Sequence, residues 1–486
     1  MMLAAVAKWR DNVIKPEENE PFLNKGRDFI NDSLIENLLA VNQHPDPVRI
    51  REIMAKALEL NRLELDEAAV LLNCEDEELW EEMYRTGLQI KHKVYGRRIV
   101  TFAPLYVSNY CVNNCTYCGY RAENKHIHRT QLSKEELEAE IRALVNLGHK
   151  RLIMVYGEHP KSDVDYIAET IKVAYATKEG NGEIRRVNVN AAPLKIADYK
   201  VLRDVGIGTY QVFQETYHHH TYQQVHRSIK ADYRWRLYSL HRAMEAGIDD
   251  VGIGALFGLY DWKFEVMGLL AHTIDLESKF GGVGPHTISF PRLQPAVNTP
   301  FAEQSPYLVD DSTFKKLVTV IRLCVPYTGM IITARERAEV RNEVVNVGCT
   351  QLDASSNIGV GTYSQKEVDY SKQQFILGDT RTLDETIRDL AEMGWITSFC
   401  TADYRCGRTG ECFMGIAKKG KIHNLCMPNA ILTFKEYLLD YASPETVRAG
   451  EPLIEKELQA LPNPEVRRVV REMLDRIEAG ERDLFL

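Results

Sequence analysis

Three cysteines in "SNYCVNNCTYCGYR", Cys111, Cys115 and Cys118, have the spacing C-x3-C-x2-C. Three closely spaced thiolates can each hold one iron of a [4Fe–4S] cube and leave the fourth iron open to a small molecule. A zinc knuckle is the competing reading, but structural zinc takes four ligands and no further Cys or His follows at the usual offset. A second group, Cys400, Cys406, Cys412 and Cys426, falls in "CTADYRCGRTGECFMGIAKKGKIHNLC". In a reducing compartment clustered cysteines point to metal or catalysis rather than to disulfides.

The elements that must position these thiols are legible in outline. Residues 1–95 carry helical apolar periodicity, as in "DSLIENLLA" and "REIMAKALEL". From residue 101, β-rich runs alternate with amphipathic helices: 101–109, 151–157, 185–191, 209–216, 249–258, 286–296, 329–336 and 351–359. Ser133 and Glu136 form a capping box for the first connecting helix, and Gly148 can end it. Eight such units predict a (β/α)8 TIM-type barrel over 96–360, between an N-terminal helical segment (1–95) and a mainly helical C-terminal extension (361–486). Cys111 then lies on the loop leaving the first strand, where barrel enzymes keep their chemistry. The net charge of −9 argues against nucleic acid as the main partner. No run is long enough for a membrane span, and the opening "MMLAAVAKWRDN" lacks the basic start of a signal peptide, so a cytoplasmic enzyme is expected.

The cysteine triplet with an aromatic before its last member, Tyr117, on the first loop of a βα barrel resembles the radical S-adenosylmethionine (SAM) superfamily. The resemblance implies that the open iron chelates SAM, that Tyr117 contacts adenine, and that an electron from the cluster yields a 5′-deoxyadenosyl radical. "FAPLYVSNYCVNNCTYCGYR", "GIGTYQVFQETYH", "GPHTISFPRLQPA", "VPYTGMIITARE" and "IHNLCMPNAILTFKEYLLDY" are similar to the HydG-type tyrosine lyases of [FeFe]-hydrogenase maturation. The family splits tyrosine into p-cresol and dehydroglycine, the latter yielding CO and cyanide on iron at a second, C-terminal cluster. A reductant protein and other maturation proteins are the partners this implies. Two other readings stay open: dehydroglycine supply for the thiamine thiazole, or lysis of another aromatic amino acid, without a functional second cluster; and a non-catalytic metal-carrying scaffold.

Single residues follow. Glu158 matches the acidic residue that faces the SAM amino group. Asn188 and Asn190 alternate with Val187 and Val189 and so face the barrel interior, toward a cofactor ribose or an internal hydrogen-bond network. Arg335, at the end of the seventh strand, offers a two-pronged fit to a substrate carboxylate, against an ion pair with Glu336 or Glu339. "GIGALFG" (252–258) reads as close backbone approach to SAM rather than a dinucleotide loop, and "YHHHTY" (217–222) as loop residues rather than a metal tract. His286, at the start of the sixth strand, matches the family histidine that ligates an extra iron at the opposite mouth, which implies a barrel hollow enough to pass an intermediate.

The sequence departs from the family at one ligand. The C-terminal cluster is held there by C-x2-C-x22-C; Cys400 and Cys426 occupy the outer places, and Asp403 stands in the middle. Asp403 could ligate through oxygen, Cys406 or Cys412 could take its place, or no second cluster forms.

Overall fold

The computed structural model describes residues 9–365 and 373–486; the start of the opening apolar patch, residues 1–8, lies outside them. Eight parallel strands close on themselves: β1 (Arg98–Ser108), β2 (Arg151–Tyr156), β3 (Arg186–Asn190), β4 (Tyr210–Gln211), β5 (Val251–Gly254), β6 (Thr287–Ser289), β7 (Gly329–Ile332) and β8 (Gln351–Asp353). Val100 and Phe102 on β1 pair with Gln351 and Asp353 on β8 and shut the barrel. Alternation sets the two faces of β1. Ala103, Leu105 and Val107 are fully buried in the main core, whereas Phe102, Pro104 and Tyr106 line the interior cavity.

Most strands are shorter than the apolar runs. On the fourth, regular pairing ends after Gln211, although Val212 and Gln214 still donate to Gly252 and Gly254. Glu215 adopts φ +72°, a left-handed conformation that interrupts the regular ladder, and pairs only through an isolated bridge to Ala255. Gly252 and Gly254 serve a purpose other than approach to SAM: a Cβ would meet Gln211 and Thr287 at the first and the Phe213 ring, 2.5 Å away, at the second. These glycines make room for neighbouring side chains.

The N-terminal helices are docked on the barrel. α1 (Asp32–Val41), α2 (Pro47–Leu58), α3 (Leu65–Leu72) and α4 (Glu77–Tyr95) begin at Asn31, Asp46, the Glu64–Glu67 capping box and Asp76. Lys91 on α4 is fully buried, donates to the Val345 carbonyl at 2.6 Å and lies 3.4 Å from the Trp395 ring centroid. The "YHHHTY" tract joins this attachment. His218 caps a short helix, His219–Val225, and His219 is 2.8 Å from Asp32 and 3.3 Å from Asp28. α5 (Lys134–Asn146) carries the expected Ser133–Glu136 box.

The sheet extends past residue 360. After α6 (Leu383–Glu392), β9 (Ile396–Ser398) pairs with Arg98–Val100, the first three residues of β1, while β2 pairs with the later ones. The C-terminal segment thereby joins the sheet at the N-terminal mouth. It continues as α7 (Ala402–Arg405), α8 (Gly410–Ala417), α9 (His423–Asp440), α10 (Pro444–Ala460) and α11 (Pro464–Glu478). Among the described residues no helix is long and apolar enough to cross a membrane.

Candidate active site

Two cavities occupy opposite ends of the barrel. The upper one, about 230 Å³, is lined by Cys111, Cys115 and Cys118 together with Tyr117, Glu158, Asn190 and Arg335. The loop after β1 is held without regular structure. Val112 donates to the Glu158 carbonyl, Thr116 to Val225 and Cys118 to Cys115. At Gly157 a Cβ would meet the Tyr110 carbonyl oxygen at 2.2 Å, so only glycine lets the second strand end pass this loop.

Burial pushes the Cys111 thiol up to about 11 and Cys115 to about 12, so iron must displace their protons to bind. Asn113 Nδ2 lies 3.8 Å from the Cys111 sulfur and Gln374 Nε2 3.4 Å from that of Cys118, contacts of the kind that tune a cluster. Among the described residues no three His, Cys, Asp or Glu converge on a single ion. The donor set fits a [4Fe–4S] group with one open iron.

Around it, Asn113 donates to Glu158 at 2.5 Å and accepts from the Lys230 amide at 3.0 Å. Burial raises the Glu158 carboxyl above its usual range. Glu215 is drawn the other way: burial would raise it, but Lys230 at 2.7 Å and Arg236 at 3.2 Å hold it low. Tyr117 is fixed by His226 at 2.7 Å. Asn113, Glu215 and Gln374 were not singled out from the sequence; the signal was an Asn pair between cysteines and a carboxylate beyond the fourth strand. Asn188 is a correction. It sits below Asn190 and its amide oxygen accepts from the Thr209 backbone at 2.9 Å, so it belongs to the internal network and does not line the cavity. Arg335 keeps a free guanidinium: Glu336 pairs with Arg292 instead, and among the described residues no carboxylate is within ion-pair distance of Arg335. Its charge lies 3.3 Å from the Phe375 ring centroid.

The lower cavity, about 40 Å³, gathers His286, Cys400, Asp403 and Cys426 as the sequence pairing of mouths implied. β9 delivers Cys400, whose carbonyl accepts from Arg151 at 2.6 Å, and α9 delivers Cys426. Asp403 Oδ2 is 3.5 Å from the Cys426 sulfur, and its other oxygen accepts from Arg408 at 3.1 Å. Burial raises both thiols. His286 Nδ1 is buried without a hydrogen-bond partner, 3.5 Å from Asp250, and its ring packs 4.5 Å from Phe413. Cys406 and Cys412 are exposed and line no part of this cavity, so neither stands in for Asp403 here. The donors present fit an iron–sulfur group with two thiolates and one carboxylate, a harder and weaker set than three thiolates.

Phe102, Ile153 and Ile331 form a small apolar cluster that lines the upper cavity.

A parallel barrel with three cysteines on its first loop defines a radical SAM protein, and the Radical SAM superfamily profile matches residues 105–269. The Biotin and Thiamin Synthesis associated domain matches 289–396. A crystal structure of HydG, a maturase of the [FeFe]-hydrogenase, is 51% identical, with TM-score 0.91, covering 94% of this chain and all of that one. HydG from Carboxydothermus hydrogenoformans is 39% identical, with TM-score 0.79, covering 91% and 98%. The 2-iminoacetate synthase of Escherichia coli K12 is 28% identical over 342 residues, 70% of this chain and 87% of that one. The chain belongs to the HydG family of [FeFe]-hydrogenase maturases, radical SAM enzymes with a [4Fe–4S] cluster and SAM as cofactors.

Proposed function

We propose that the protein is a lyase that splits tyrosine between Cα and Cβ into p-cresol and dehydroglycine, supplying CO and cyanide for the hydrogenase cofactor. The observation that carries this reading is Arg335, a guanidinium with no carboxylate partner among the described residues, in the same cavity as Cys111, Cys115 and Cys118. An amino-acid carboxylate supplies the missing counter-charge as a bidentate pair. The bound cluster and SAM supply a 5′-deoxyadenosyl radical. Glu158, oriented by Asn113, receives an ammonium group of the cofactor, and Tyr117 lies beside its adenine. Phe102, Ile153 and Ile331 offer the aromatic ring an apolar bed and keep water away from the radical. Cys400, Asp403 and Cys426 would hold a second iron–sulfur group, with His286 facing it. A reductant protein and other maturation proteins are the partners of this reading.

Anaerobic reconstitution with iron, sulfide, SAM, a reductant and tyrosine tests it. 5′-Deoxyadenosine and p-cresol are expected in equal amounts; iron loading without p-cresol sinks the lyase. Cys115→Ala should abolish both products, and His286→Ala should leave p-cresol unchanged.

A second reading, supply of 2-iminoacetate without further assembly, is favoured by Asp403 in the place of a thiolate and by the outward-facing Cys406 and Cys412. Iron and sulfide counts on Cys118→Ala, which lacks the first cluster, separate the two: residual cluster iron supports the maturase.

A further inference from the structure

One side of the upper cavity is lined by a strap that follows the barrel, residues 373–378. Gln373 pairs with Gly359 through an isolated bridge, Ile376 donates to the Pro295 carbonyl at 2.8 Å and Gly378 to the Ala334 carbonyl at 2.9 Å, so the strap is fixed to the mouth. It meets the cysteine loop at Gly119, the residue after Cys118, where a Cβ would collide with the Gln374 carbonyl oxygen. Phe375, buried, carries the Arg335 charge 3.3 Å from its ring centroid.

The Gln374 side chain joins two features of the cavity. Its Oε1 accepts from the Tyr106 hydroxyl at 3.0 Å, which turns Nε2 toward Cys118, 3.4 Å from the sulfur. A flipped amide would set its oxygen against the thiolate that iron binding leaves there, so one orientation is selected. Nε2 has no other acceptor among the described residues. Asn113 approaches Cys111 less closely, at 3.8 Å, and the same nitrogen already donates to Glu158 at 2.5 Å. Gln374 therefore supplies the nearer and less committed amide at the cysteine triplet.

Reduction of a [4Fe–4S] group adds one electron, delivered by the electron donor, and one negative charge, part of which falls on the cysteine sulfurs. An N–H aimed at such a sulfur stabilises the reduced form more than the oxidised one and so raises the potential. We propose that Gln374 is a positioning residue for the reaction: acting through Cys118, its amide raises the reduction potential of the first cluster, and Tyr106 holds the amide in the orientation that does so. The inference rests on the radical SAM assignment and not on the identity of the substrate.

Redox titration of the full-length, cluster-loaded protein, followed by electron paramagnetic resonance, tests this without turnover. Only a cluster with an open iron changes its signal when SAM is added, and that signal is the one to follow. In Gln374→Leu, iron and sulfide should match the wild type, while at the wild-type midpoint the ratio of reduced to oxidised cluster falls about tenfold, a shift of ~59 mV for one electron. Gln374→Met, similar in length and without a donor, should fall equally. Tyr106→Phe, which keeps the amide but frees its orientation, should move the same way by less. Equal midpoints in the wild type and Gln374→Leu overturn the assignment. Should Gln374→Leu fail to fold or to hold the cluster, Gln374→Met decides it: a wild-type midpoint there makes Gln374 a structural support and sinks the proposal.

Discussion

Arg335, half-buried, and Arg98, buried, are two guanidiniums, each without a carboxylate partner among the described residues, one in each cavity. Burial lowers the Arg335 pKa, so this side chain gains most when an anion docks against it. Arg335→Gln should keep the first cluster and raise the KM for tyrosine, lowering kcat/KM on the order of 100-fold, since truncating one partner of a buried charged pair costs about 2–5 kcal/mol. Steady-state p-cresol formation alongside iron content checks this; loss of iron instead would make Arg335 a structural residue. Asp403 is the other decisive side chain. Asp403→Cys restores three thiols at the lower site and should raise the iron and sulfide retained by Cys118→Ala protein after chelator treatment; no gain would show that the carboxylate is not the missing ligand.

At the scale of elements, the loops after the strands do the positioning, and the N-terminal helices brace them. His219 ties α1 to the barrel: burial would lower its pKa, but Asp28 and Asp32 outweigh that and raise it to about 9. The unfolded histidine titrates near 6.5. Because the folded pKa is the higher, the stabilisation is complete below about 6.5 and is lost as pH rises through about 9. Denaturant unfolding of wild type and His219→Gln between pH 6 and 10 should therefore converge at the alkaline end; parallel curves would remove the latch. Much of this scale was legible in the sequence. The capping boxes and strand alternation required only local chemistry, and the Ser133–Glu136 helix start is where the residues put it. Strand ends were not legible, because the left-handed turn at Glu215 is fixed by Lys230 and Arg236 from a distant segment. For Asn188 the alternation left a cofactor ribose and an internal network open, and its depth in the barrel, set by the register of β3 against β4, favours the network.

On the scale of the whole molecule, the C-terminal segment closes the lower mouth. β9 fills the lower half of β1, and the end of the chain returns beneath the cysteine loop. Arg405 forms two hydrogen bonds to Asp483 at 2.6 and 2.9 Å, Arg408 donates to the Leu486 carbonyl at 3.0 Å, and Asn429 accepts from the Leu486 amide at 2.8 Å. Removing residues 482–486 should free this loop and speed alkylation of Cys400 and Cys426 in the metal-free protein at least several-fold, while the upper site still releases p-cresol. Mass spectrometry of the alkylated peptides reads the first effect. Unchanged labelling would mean that the tail is only a surface contact.

The sequence by itself determined the barrel, the cysteine loop on its first strand end and the family, because periodicity, capping and ligand spacing are written in neighbouring residues. It also exposed the substitution at Asp403. Only the tertiary structure decided that Asp403, and not Cys406 or Cys412, faces Cys426, and that Arg98 lines the lower cavity with no carboxylate partner among the described residues. Each of these depends on side chains brought together from segments hundreds of residues apart, where packing and charge, rather than spacing along the chain, choose the neighbours.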